Sequence, residues 1–132
     1  MTISIWILIA ILLTHWVADF VFQTHWQASN KSKNNKALLL HTITYSISWF
    51  PIGIWVLFPD AGINQSIILS SLFILITFII HTATDYFTSR LNSKLYAKGD
   101  IHNFFVSIGG DQVLHYLQLI FTYYILNQSI NK

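Results

Sequence analysis

What most restricts this chain is a set of four apolar stretches, over 3–22, 37–58, 67–87 and about 104–126, separated by short linkers rich in breakers. About 20 helical residues cross a hydrocarbon core of ~30 Å, and each stretch is near that length. The linkers read ASNKSKNNK at 28–36, PDAGINQ at 59–65 and SRLNSKLYAKGD at 89–100. None of the stretches alternates with the period of two that a half-buried strand requires. Helices then remain the way to satisfy every backbone group in lipid. The expected fold is all-α: an integral membrane four-helix up-down bundle, one domain over residues 1–132.

Composition points the same way. Hydrophobic residues make up 54% and charged residues 9%, with a mean hydropathy of +0.54. A soluble domain carries about 25% charged residues, so this chain cannot cover itself with polar surface. Glutamate is absent and all five acids are aspartate. The absence of cysteine excludes disulfides and thiolate metal sites. The first stretch has neither a basic start nor a small-residue cleavage site, so it reads as a span rather than a signal peptide.

Orientation follows from the cations. Lys31, Lys33 and Lys36 lie in the first linker and Arg90, Lys94 and Lys98 in the third. The second linker has Asp60 and no cation, and the tail has Lys132 alone. By the positive-inside rule, linkers one and three face the cytoplasm and both termini lie outside a multi-pass inner-membrane protein. These cations read as loop anchors rather than a patch, which argues against nucleic acid. Membrane lipids are the expected partners, and a homo-oligomer is open. Trp16, Trp26, Trp49 and Trp55 read as lipid anchors and packing, His25 and His102 as interfacial residues, and Gln112 and Gln118 as packing.

Each stretch nevertheless carries polar residues. The first has His15, Asp19 and Gln23; the second His41 and Tyr45; the third His81 and Asp85, then Arg90; the fourth Asp111 and His115 after Gly109-Gly110. A spacing of four rotates a side chain by only about 40°, so each set shares a helical face. In an up-down bundle all of them fall at one depth, with Asp111 near the start of the fourth helix if the glycine pair breaks it. An aspartate near a helix centre costs about 2.5–3.5 kcal/mol, so three of them need compensation. The spans hold no lysine or arginine, and Arg90 is the nearest cation in sequence.

One or two divalent cations would balance these carboxylates. Histidine with aspartate suits Zn, Mn or Fe. The candidate ligands are His15, Asp19, His41, His81, Asp85, Asp111 and His115. They suit two ions sharing a carboxylate, or one ion with a supporting shell, as in bundles whose ligands project inward one turn apart. Gln23 and Tyr45 are expected as supporting or substrate contacts. The alternative for each pair is a structural interhelical hydrogen bond, worth ~0.6 kcal/mol in membranes.

The order H-x3-D-F-x2-Q, an isolated His, H-x3-D-Y and D-Q-x2-H resembles a family of uncharacterised small bacterial and phage membrane proteins, domain-of-unknown-function family 3307. The resemblance spans nearly the whole chain. It rests on His15, Asp19, Phe20, Gln23, His41, His81, Asp85, Tyr86, Asp111, Gln112 and His115. It implies no reaction. More distantly, the intramembrane His/Asp arrangement is similar to inner-membrane proteins grouped as metal-dependent hydrolases.

The expected function is a metal-dependent hydrolase at the cytoplasmic leaflet, with Asp19, Asp85 and Asp111 dividing ligand and general-base roles. Arg90 could hold an anionic headgroup, with a positive-inside anchor as its alternative. The rivals are a metal-ion or proton transport unit, a haem-binding electron carrier and a structural or regulatory membrane partner. Transport needs polar groups through the other leaflet, where the sequence offers only Ser46, Ser48, Ser70, Ser71 and Thr77 on the second and third stretches. Aspartates beside the histidines suit a hard ion better than a porphyrin.

Overall fold

Local sequence sets the boundaries of the helices. In the computed structural model, which describes residues 3–130, the Ser4 hydroxyl accepts from the Trp6 N–H and opens helix α1 (Ile5–Trp16). A wider π-type turn over Val17–Val21 follows, closed by Phe22 N–H donating to the Val17 carbonyl. Such turns are frequent at functional sites, and this one carries Asp19. Helix α2 (His25–Asn30) begins with a reciprocal cap: Thr24 and Gln27 each bond the other's backbone N–H.

Asn34 caps helix α3 (Asn35–Ile52), which continues through a second π-type turn at Gly53–Leu57, after Pro51. A short 3-10 turn at Pro59–Ala61 leads into the long helix α4 (Ile63–Ala97). The chain reverses at Gly99, whose φ of 73° a side chain would resist. Asp100 then caps helix α5 (Ile101–Asn127). The Asn103 side chain and backbone both donate to the Asp100 carboxylate and hold it below its ordinary pKa.

The protein is thus all-helical, with α1, α3, α4 and α5 as the major packed helices. Three local expectations are corrected. A short helix, His25–Asn30, bridges the end of the first stretch and the start of the first linker, because the Thr24/Gln27 cap nucleates one. Most of the third linker is helical, since 89–97 holds no proline or glycine and α4 runs on to Ala97. The Gly109-Gly110 pair does not break α5, so Asp111 lies in its third turn.

Polarity is inverted along the bundle. Trp6, Trp55 and Phe87 are 74%, 73% and 71% exposed, whereas buried polar side chains are at least as numerous as buried apolar ones. Among the described residues, two helical segments are long and apolar enough to cross a membrane, Asn35–Leu57 and Ile63–Ala97; Ile5–Val21 is apolar but shorter. The fourth expected span is diluted by Asp111, Gln112, His115 and Gln118. Lys132 lies outside the described residues. One half of the interior is aromatic. Trp49 packs on Phe73 at 5.4 Å between ring centroids, and Phe58 on Tyr123 at 5.9 Å. Trp49 is therefore core rather than a lipid anchor.

Gly53 permits the close approach of α3 to α4. A Cβ there would lie 2.7 Å from the Ser70 Cβ and would also meet its Oγ. Gly53→Ala is expected to destabilise the bundle by about 1–3 kcal/mol through overpacking. The measurement is the unfolding midpoint in detergent, and an unchanged midpoint would show that the helices separate there freely.

Candidate metal centre

The polar sets of the individual helices meet in the other half of the interior. His15, Asp19, His41, His81, Asp85 and His115 are all buried, at 0%, 3%, 1%, 0%, 1% and 1% exposure. Asp111 is half-buried at the edge of the group. Each side chain comes from a helix face set by spacing of four, and the π-type turn carries Asp19 at the end of α1.

His41 Nε2 occupies the centre. It lies 3.0 Å from Asp19 Oδ1, 3.3 Å from Asp85 Oδ2, 3.3 Å from His81 Nε2 and 3.4 Å from Lys31 Nζ. A single ring nitrogen carries one proton or one lone pair, so it cannot satisfy all of these. Asp19 Oδ1 has two ring nitrogens nearby, His41 at 3.0 Å and His81 at 3.7 Å, yet it is buried with no hydrogen-bond partner. Its approach to His41 is a short contact without hydrogen-bond alignment.

With all rings neutral, partner identity assigns the tautomers. Carboxylates only accept, so His115 Nε2–H donates to Asp85 Oδ1 at 3.1 Å. His115 Nδ1 then carries a lone pair and accepts from His81 Nδ1–H, also at 3.1 Å. That leaves the His81 Nε2 lone pair facing His41, Asp19 and Asp85. A carboxylate orienting a histidine through its remote nitrogen is the usual support of a metal-ligating imidazole; here the effect passes through a second ring.

Two overlapping groups could hold an ion: Asp19, His41, His81 and Asp85, and separately Asp85, Asp111 and His115. The single proton between His81 Nδ1 and His115 Nδ1 makes them alternatives. If His115 Nε2 gives up its proton to become a ligand, Nδ1–H must donate to His81, and His81 Nε2 becomes protonated. The two rings cannot ligate through Nε2 together while that bond persists.

His15 belongs to neither group. Gln112 Oε1 accepts from His15 Nε2–H at 2.9 Å, so the Tyr45 hydroxyl donates to His15 Nδ1 at 2.8 Å. Both ring nitrogens are taken. Tyr45 also stacks on His81, with centroids 3.8 Å apart, and so clamps two rings. Gln112, expected as packing, links His15 to Asp111 by donating to its Oδ2. Gln118 does pack, donating to Thr77 and Thr122. Gln23 folds back onto the Asp19 carbonyl.

The main correction concerns the cation. Lys31 Nζ donates to Asp85 Oδ2 at 2.8 Å, so compensation comes from the first linker. Burial alone would lower its pKa, but Asp85 and Asp19 outweigh burial and raise it above the ordinary lysine value. Arg90 is directed elsewhere: it donates to Asn35 and the Tyr86 carbonyl, and its guanidinium lies 3.7 Å over the Tyr86 ring. With neutral imidazoles, Asp19, Asp85 and Asp111 set against Lys31 leave two negative charges in excess.

An all-α protein with a buried His/Asp cluster able to hold a metal ion is the class that fold and site define. Within it, the chain matches the family described as "Protein of unknown function (DUF3307)" over residues 7–132, and it belongs to that family. No curated protein and no solved structure matches it.

Lys31→Met in chelator-treated protein removes the one cation bonded to the cluster among the described residues. Its side chain is 19% exposed, so the expected loss is about 1–3 kcal/mol, less than for a fully buried pair. The unfolding midpoint in denaturing detergent reads it. Equal or greater stability would show that Lys31 is only a surface anchor.

Proposed function

We propose that this is an integral membrane protein holding one divalent transition-metal ion, and that it acts as a metal-dependent hydrolase at the cytoplasmic face. One observation carries the metal reading: His41 Nε2, His81 Nε2, Asp19 Oδ1 and Asp85 Oδ2 converge in a buried space, and Asp19 Oδ1 has no hydrogen bond. Lone pairs from both carboxylates and at least His81 meet with too few protons between them. Removing a buried acceptor from water without a partner is costly, and a cation resolves it. The set suits Zn, Mn or Fe.

Charge and tautomer both favour one ion. A divalent ion cancels the two negative charges that Lys31 leaves uncompensated, whereas a second would reverse the sign. The proton shared by His81 and His115 allows one group at a time. The Asp19, His41, His81 and Asp85 group is favoured, because the donation from His115 to Asp85 turns His81 Nε2 inward. Asp85 is then the carboxylate common to the ion, Lys31 and His115.

Membrane integration is supported by the outward apolar surface and by the basic residues of both linkers gathered at one end. The bound ion would supply Lewis acidity and an acidified water. Asp111 suits the general base: it is half-buried, and its Oδ1 lies 3.3 Å from His115 Nε2 without a hydrogen bond. As general base it would accept a proton from the attacking water and return it to the leaving oxygen. Transport is less well supported, because buried Trp49, Phe58 and Phe73 fill the bundle beyond the cluster. The haem reading is less well supported, because the carboxylates of Asp19 and Asp85 crowd His41 and His81 and suit a hard ion better than a porphyrin.

Detergent-purified protein is expected to carry about one equivalent of transition metal per chain, lost on chelation and regained on dialysis. Asp85→Asn keeps the shape and removes the charge, so metal content should fall severely while the protein still inserts. Protein that neither carries nor rebinds metal would sink this reading. The membrane part is checked separately with single cysteines at Lys33, Lys94 and Asp60. The first two should label only from the cytoplasmic side and the third only from outside; the reverse pattern would place the site on the outer face.

A further inference from the structure

Lys31 has a second environment. Besides reaching Asp85, it lines a cavity of about 490 Å³ between the turn after α2, the last turns of α4 and the first turns of α5. That volume lies in the range of small-ligand pockets, ~300–1,000 Å³. The turn after α2 contributes Lys31 and Lys33, α4 contributes Ser93 and Tyr96, and α5 contributes Phe104 and Ile108, with no aspartate among the lining residues. The Tyr96 and Phe104 rings pack together at 5.4 Å between centroids, so this apolar wall is ordered by its own contacts.

The cavity also adjoins the metal centre. Ser89, on its wall, donates to the Asp85 carbonyl at 2.6 Å, and Lys31 Nζ bonds the Asp85 carboxylate. A ligand in the cavity therefore lies one lysine away from the proposed reaction. Resting on the metal-centre reading, we propose that this cavity binds an anionic phospholipid. Its phosphate is held by Lys31 and Lys33, and its apolar part lies along Tyr96, Phe104 and Ile108. Lys33 has no ion pair among the described residues, Lys31 adds a second ammonium when Asp85 releases it, and lysine binds phosphate well as a point charge. The apolar wall, flanked outside by the exposed Ile101 and Phe105, favours a lipid over a free phosphate.

The shared lysine couples the two sites. While Asp85 holds the ammonium, only Lys33 is free for the headgroup. An ion that draws on Asp85 loosens that bond and turns Lys31 toward the cavity. Metal and lipid should then strengthen each other's binding by the same factor.

The test is native mass spectrometry of the full chain released from micelles with phosphatidylglycerol or phosphatidylcholine, with metal content measured on the same samples. We expect one retained phosphatidylglycerol per chain, little phosphatidylcholine, and greater retention after metal loading than after chelation. Lys33→Gln and Lys31→Met should each lower retention about fivefold, the effect of one cation near an anionic headgroup. Because the Lys31 variant could fold poorly, Ile108→Trp is the second probe: it fills the cavity and replaces none of the candidate ligands. It should abolish retention and leave metal content unchanged. Equal retention of both lipids, or undiminished phosphatidylglycerol in Ile108→Trp, overturns the lipid site. Displacement by equimolar inorganic phosphate also overturns it, in favour of a soluble phosphate. Metal without lipid preference defeats this inference alone, and lipid preference without metal defeats the metal centre.

Discussion

The Asp85 carboxylate is the point on which the bundle turns. Its Oδ2 meets Lys31 and His41 and its Oδ1 meets His115, so it ties the turn after α2 and helix α3 to α5 across α4. A carboxylate buried to 1% exposure is unfavourable unless charge and hydrogen bonds surround it. Those groups must therefore reach it, which fixes the rotation of α3 and α5 about α4 and draws the first linker inward. Apolar packing alone would specify these rotations weakly. Hydrophobic residues surround each helix almost evenly, so no single apolar face dictates which way it turns.

The surrounding rings pass this constraint outward. The His115 donation to Asp85 fixes His115, which fixes His81, and Tyr45 stacks on His81 while donating to His15. His15 in turn holds Gln112, which holds Asp111. With neutral rings, each link leaves the next group one protonation pattern. The chain of bonds ends on both sides of the cluster, at a ring nitrogen facing inward and at a half-buried carboxylate. The first has the character of a ligand and the second of a base, and their difference follows from position rather than residue type.

Much of this was legible in the residues. Pairs spaced by four on α1, α4 and α5, with His41 between them, were enough to anticipate one polar cluster at one depth. Periodicity identifies a shared face, and an up-down path aligns the levels. The capping box at Thr24 and Gln27 is equally legible, but it lies in the few residues between the first stretch and the first linker, too short a segment for periodicity to mark a helix. Lys31 was harder to see. Sequence distance places it far from Asp85, and a lysine beside a span reads as an interfacial anchor. Only the short α2, started by that capping box, turns its long side chain back under α3. The Gly109-Gly110 pair misled for a different reason: glycine is tolerated inside a helix held by tertiary contacts, and α5 lies along α4 throughout.

The division of the interior bears on the kind of chemistry the bundle can support. Beyond the cluster the core is Trp49, Phe58, Phe73 and Tyr123, packed ring against ring, and the remaining buried polar groups there are hydroxyls and Gln118. A hydroxyl can relay a hydrogen bond, but it does not replace the hydration of a divalent ion among aromatic rings. Toward the basic end the cluster adjoins Lys31 and an open cavity instead. In the proposed orientation an ion or substrate therefore enters and leaves by one face, and the aromatic half serves as a floor. A floor on one side and an entrance on the other suit a reaction centre better than a conduit. Lys31, bonded to the cluster and lining the entrance, is the residue through which the state of the centre reaches whatever occupies the cavity.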